Sequence, residues 1–180
     1  MSATHPESRL EFTFSDDWRV IKWDDHPAFK NGLCKAGDTK SVDFVGVLFN
    51  APWLIEVKNF RQYRIENKPR LSSGALAKEV ADKVRDSIAS MTWACRRAPL
   101  DERDLAPFVR SIFGWKERIC VVLWLEEDRI MTAAQASAMA ETIKRELTWL
   151  NPKVLVMSRD LAEKKPWQGI SVAGGSSGPK

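Results

Sequence analysis

Cysteine is scarce in this chain of 180 residues, and its three copies, Cys34, Cys95 and Cys120, stand apart from one another. An odd number without a Cys-x-x-Cys pair excludes a disulfide framework and a cysteine-held zinc site. Cys95 and Cys120 fall in apolar patterns and read as small buried residues. The two histidines, His5 and His26, show no paired spacing, so zinc-hydrolase chemistry lacks its ligands. His26, in a polar loop beside Asp24 and Asp25, reads as a surface or capping residue. No Gly-rich phosphate loop and no Gly-x-Ser-x-Gly elbow occurs, which removes P-loop, dinucleotide-binding and α/β-hydrolase readings. No apolar run approaches the length of a membrane span. The first seven residues lack the basic and apolar regions of a signal peptide, so a cytoplasmic location is expected.

What is present fits one globular domain. Hydrophobic residues make up 44% of the chain and charged ones 29%, enough for a substantial core. A single domain is expected over residues 1–172, followed by a flexible Gly- and Ser-rich tail over 173–180. The formal net charge of +4 is modest, but its distribution is uneven. Between residues 56 and 97 ten basic side chains face five acidic ones, an excess of five in under half the chain. Such a concentration attracts phosphate backbones. The eight tryptophans sit mostly among apolar neighbours, which points to core packing or an oligomer interface before base stacking.

Alternation of apolar and polar residues predicts strands over 10–14 and 18–23, joined as a hairpin by the Ser15-Asp16-Asp17 turn. His5 falls in a start expected to be disordered. A loop follows, with a short helix around residues 28–33 as an alternative. Residues 59–70 finish a strand or form another through Tyr63-Arg64-Ile65, and Pro69 argues against a helix there. After Ser72-Ser73-Gly74 a long helix is predicted from Ala75 to about Arg97, with Ala77, Val80, Ala81, Val84, Ile88, Met91 and Cys95 as its apolar stripe. Lys83 falls off that stripe. A shorter helix is predicted over 101–113 and a doubly buried strand over 118–125. Thr132 and Gln135 form a capping box for the last long helix, and a closing strand covers 153–157.

The stretch 41–60 carries the chemistry. It reads as two strands and a turn, and it holds Asp43, Glu56 and Lys58 where an apolar sheet has no packing use for charge. Alternation puts Leu54, Glu56, Lys58 and Phe60 on one face and Trp53, Ile55, Val57 and Asn59 on the other. Two carboxylates and an ammonium gathered on strands suit metal-assisted phosphodiester hydrolysis.

An Asp followed by Glu-x-Lys on the next strand resembles the PD-(D/E)XK nuclease superfamily. Here the motif is Asp43 with Glu56-Val57-Lys58, and Val42 stands where the family name has proline. The resemblance implies an α/β, restriction-endonuclease-like fold: a central mixed β-sheet flanked by helices in three α/β/α layers. It makes Asp43 and Glu56 metal ligands, with the Val57 carbonyl as a further one, and Lys58 the catalytic lysine. It implies Mg²⁺, for which Mn²⁺ would substitute, and DNA before RNA as substrate. Asp24 or Glu11 would supply an upstream acidic ligand. Arg61, Arg64 and Lys83 are the candidate phosphate contacts. A homodimer or a protein partner is also open. The competing expectation is a nuclease-like scaffold that binds or assembles without chemistry.

Overall fold

A computed structural model of the chain describes residues 2–97, 105–114, 116–164 and 167–174. In chain order these form β1 (Ala3–Glu7), β2 (Leu10–Phe14), β3 (Trp18–Lys22), α1 (Pro27–Lys30), a 3₁₀ turn (Leu33–Lys35), β4 (Phe44–Leu48) and β5 (Ala51–Asn59). There follow α2 (Arg64–Ser72), α3 (Ala75–Arg97), α4 (Ala106–Phe113), β6 (Cys120–Glu126), α5 (Ala133–Glu146), β7 (Lys153–Met157), α6 (Arg159–Lys164) and β8 (Ile170–Gly174). The fold is α/β. A mixed five-stranded sheet runs β3-β4-β5-β6-β7, and a three-stranded sheet runs β1-β2-β8.

In the larger sheet β3, β4 and β5 form an antiparallel meander, while β5, β6 and β7 are parallel. Its two faces bury separate cores. Val45, Leu54, Val121, Leu123 and Leu125 meet α1, α3, α4 and α5 on one side. Phe44, Trp53, Ile55, Val57, Val122 and Trp124 meet β2, β8 and α6 on the other. β6 is buried along its whole length because both faces are covered, as its unbroken apolar run predicts. The middle layer thus lies between a helical layer and one built from the small sheet and α6.

The turns that fold the strands back use two residues at positive φ, Phe49 and Asn50 between β4 and β5, and Ser8 and Arg9 between β1 and β2. This left-handed pair matches the twist of the flanking strands. The Thr132–Gln135 capping box opens α5 as expected, with Gln135 N–H donating to Thr132 Oγ1 and Thr132 N–H to Gln135 Oε1.

Several expectations need correction. The start of the chain is a strand: β1 pairs with β2 from Ala3↔Phe14 to Glu7↔Leu10, and its Pro6 is tolerated because β1 is an edge strand. β2 and β3 do not form a hairpin, since β2 pairs with β1 and β8, and β3 with β4. Residues 64–72 are helical in spite of Pro69. Arg70 pairs with Glu79 of α3 and lies over the Phe60 ring at 5.4 Å, tertiary ties that offset the hydrogen bond proline removes. Cys95 is exposed, and Ala94 takes the buried position beside it. Ala173 and Gly174, assigned to the tail, pair with Glu11 and Leu10 in β8. Residues 175–180 and the expected helical start at 101–104 lie outside the described residues.

Candidate active site

The meander decides which charges meet. Phe44 pairs with Ile55, so Asp43, immediately before β4, stands opposite Glu56 at the far end of the hairpin. Leu54 joins the helical-face core, and Glu56 and Lys58 follow it two and four residues along the same face, toward α3. Asp43 is 7% exposed and Glu56 1%. The Val57 N–H donates to Asp43 Oδ2 at 2.6 Å. Burial pushes the Asp43 carboxyl up to about 8, and the charges of Glu56 and Glu7 push the same way. Lys83 and the Val57 N–H act against them.

Glu56 is held asymmetrically. Its Oε1 meets two ammonium groups, Lys58 at 2.9 Å and Lys83 of α3 at 2.6 Å. Its Oε2 is buried without a hydrogen-bond partner. Lys58 is gripped on its other side by Glu79 Oε1 at 2.8 Å, and Glu79 in turn pairs with Arg70 of α2. Burial alone would lower the Lys58 ammonium, but Glu56 and Glu79 outweigh it and hold it above its ordinary value. Burial likewise works against the Glu79 carboxylate, yet Lys58 and Arg70 keep it below the usual range.

A second set of carboxylates converges on Asp43 from the other side. Glu7, at the end of β1, and Asp24, just past β3, each place an oxygen within 4.8 Å of the others and of Asp43. Lys22 lies among them, 2.9 Å from Glu7 Oε2, 3.0 Å from Asp25 Oδ2 and 3.5 Å from Asp24 Oδ2. Burial raises the Asp24 carboxyl against the pull of Lys22, and Asp24 Oδ1 has no partner. The convergent donors, from Glu7, Asp24 and Asp43, are hard oxygens, and Asp24 Oδ1 is buried without a partner; Glu56, whose Oε2 is likewise bare, is not one of the three. That donor set fits Mg²⁺ or Mn²⁺, which take oxygen ligands.

The structure therefore brings Asp43, Glu56, Lys58 and Lys83 together. Lys83 borders the apolar stripe of α3 and turns inward to Glu56. Of the two upstream acids named from sequence, Asp24 reaches the site, whereas Glu11 is exposed on β2. Glu7 carries no strand signal in the sequence: Ala3-Thr4-His5-Pro6-Glu7 lacks apolar–polar alternation, and Ser8-Arg9 is not a glycine- or asparagine-type turn. The pairing of β1 with β2 is what places it. Arg61 bonds back to Asn59 Oδ1 at 3.0 Å, next to the site. Arg64 opens α2, and its side chain lies outside the described part of the chain. His26 caps α1, its Nδ1 accepting from the Ala28 N–H at 3.2 Å. Of the tryptophans, Trp18, Trp23, Trp53 and Trp124 are core residues and Trp149 is exposed.

No helix among the described residues is long and apolar enough to cross a membrane. No family model matches the sequence, and no solved structure matches the chain. The chain is 26% identical over 163 residues to the cysteine–tRNA ligase of Neisseria meningitidis serogroup A / serotype 4A (strain DSM 15465 / Z2491). That alignment covers 75% of this chain and 23% of the ligase, so the chain spans about a quarter of the length of this curated relative.

Proposed function

We propose that the chain is a nuclease of the PD-(D/E)XK type, hydrolysing phosphodiester bonds of DNA, or of RNA, with Mg²⁺ or Mn²⁺. The observation that carries this reading is the meeting of Asp43 and Glu56, both buried, beside the Lys58 ammonium, with Glu56 Oε2 unpartnered. Asp43 and Glu56 would hold the cation, with Asp24 and Glu7 as further carboxylate ligands and the Val57 carbonyl beside them. When bound, such a cation polarises the scissile phosphate and lowers the pKa of a bound water. Lys58, fixed between Glu56 and Glu79, orients the attacking water or offsets charge developing on the phosphate. Arg61, just after β5, and Arg64, the first residue of α2, would serve as contacts to the nucleic-acid backbone. We propose a cytoplasmic location, with nucleic acid as the principal partner; solution mass reads whether the chain also forms a homodimer or holds a protein partner.

The test is incubation of purified protein with plasmid DNA, single-stranded DNA and RNA, with and without Mg²⁺ or Mn²⁺. Transfer RNA belongs among the substrates because of the partial likeness to a tRNA ligase. Cleavage should need the cation and fall by a hundredfold or more, on the order expected for lost transition-state stabilisation, in Asp43→Ala, Glu56→Ala and Lys58→Ala. One observation favours a second reading, a binding module without chemistry: Glu56 Oε1 is already neutralised by two lysines. Cation-independent binding of nucleic acid without cleavage would establish that reading instead.

A further inference from the structure

We propose that Lys83 is a second lysine of the site: it neutralises Glu56 while the cation is absent and turns to the substrate phosphate when the cation binds. The inference rests on the nuclease reading and deepens it. Two ammonium groups share Glu56 Oε1, at 2.6 Å for Lys83 and 2.9 Å for Lys58, while Oε2 is bare. A divalent cation on this carboxylate would stand within a few ångströms of both ammoniums, and like charges so placed in a poorly solvated site repel strongly.

The two lysines are not equally free to leave. Lys58 has a second anchor, Glu79, which is itself tied to Arg70. The ion pair of Lys83 is with Glu56. Lys83 reaches Glu56 from α3, a different element, on a flexible four-carbon stem. Displaced from Glu56, its ammonium needs another counter-charge, and the phosphodiester of a bound substrate supplies one. Cation and nucleic acid then favour each other's binding, because each removes a penalty the other would meet.

The inference is tested on the whole chain. Calorimetric titration with Mg²⁺ alone should show Lys83→Met binding about tenfold tighter than wild type, since the competing ammonium is gone, a coupling of ordinary size. Fluorescence anisotropy of a labelled single-stranded DNA should tighten about tenfold on adding Ca²⁺ to wild type, and no more than about twofold in Lys83→Met. Lys83→Arg, which keeps the charge, should retain the coupling. If Lys83→Met does not fold, reductive methylation of wild type read by mass spectrometry serves instead: Lys83 should label several-fold faster with Mg²⁺. Unchanged Mg²⁺ affinity in a folded Lys83→Met, or unchanged labelling of wild type, overturns the inference and leaves the nuclease reading standing. A wild-type chain that binds no Mg²⁺ overturns both.

Discussion

At the scale of single residues the site is a problem in charge. Asp43 has a folded pKa near 8 against 3.8 in an unfolded chain. Between those values the folded, cation-free protein keeps a proton that the unfolded chain releases. The stability tied to this group is therefore present below about pH 4 and lost as pH rises toward 8. Scanning calorimetry in EDTA should show Tm falling across that window, and Asp43→Asn should flatten the fall while abolishing cleavage. An equal slope in the variant would mean that another group holds the proton. A cation competes with the same proton, so Mg²⁺ affinity should rise through that range. Glu7→Gln removes one of the three convergent carboxylates. It should weaken Mg²⁺ binding by about 10–100-fold, in the range seen when a metal site loses a supporting group, with little change in Tm. Of this site, Asp43, Glu56 and Lys58 were legible because charge in a strand violates the local apolar pattern. Glu7 and the inward turn of Lys83 were not, since nothing local distinguishes them from solvated charge.

At the scale of elements, local rules and tertiary ties divide the outcome. The faces of β5 follow from alternation, and α5 from its capping box, without reference to the rest of the chain. α2 is the opposite case: Pro69 and a polar composition speak against it, and the Arg70 contacts to Glu79 and Phe60 carry it. Close packing of the meander supplies a test. A Cβ on Gly46 of β4 would meet the buried Trp18 ring at 2.7 Å and 2.9 Å. Gly46→Ala should cost about 1–3 kcal/mol in denaturant unfolding, the usual range for overpacking a core. A neutral result would show that β3 can shift away from β4, which would also displace Asp24.

For the whole molecule, the small sheet joins residues near both ends of the chain and closes one face of the large one. β2 lies between β1 and β8, so β8 supports the hairpin that presents Glu7. Asn59, at the end of β5, donates to the Ser8 carbonyl at 2.8 Å and ties that hairpin to the site. Deleting residues 170–180 removes the strand that pairs with Leu10–Phe14 and takes Ile170 out of the core. The truncation should lower Tm and weaken Mg²⁺ binding together. If it lowers Tm yet leaves Mg²⁺ affinity intact, β2 and Asn59 hold Glu7 without β8.

The sequence by itself determined the α/β class, the strands and helices with strong periodicity, and the strand pair that carries Asp43, Glu56 and Lys58. Those features are local: alternation, capping and misplaced charge are written within a few residues of where they act. Tertiary structure decided which strand β2 pairs with, that residues 64–72 coil into a helix, that Glu7 and Asp24 converge on Asp43, and that Lys83 reaches Glu56. Such encounters join residues far apart in the chain, and long-range packing and burial, not neighbouring side chains, select among them.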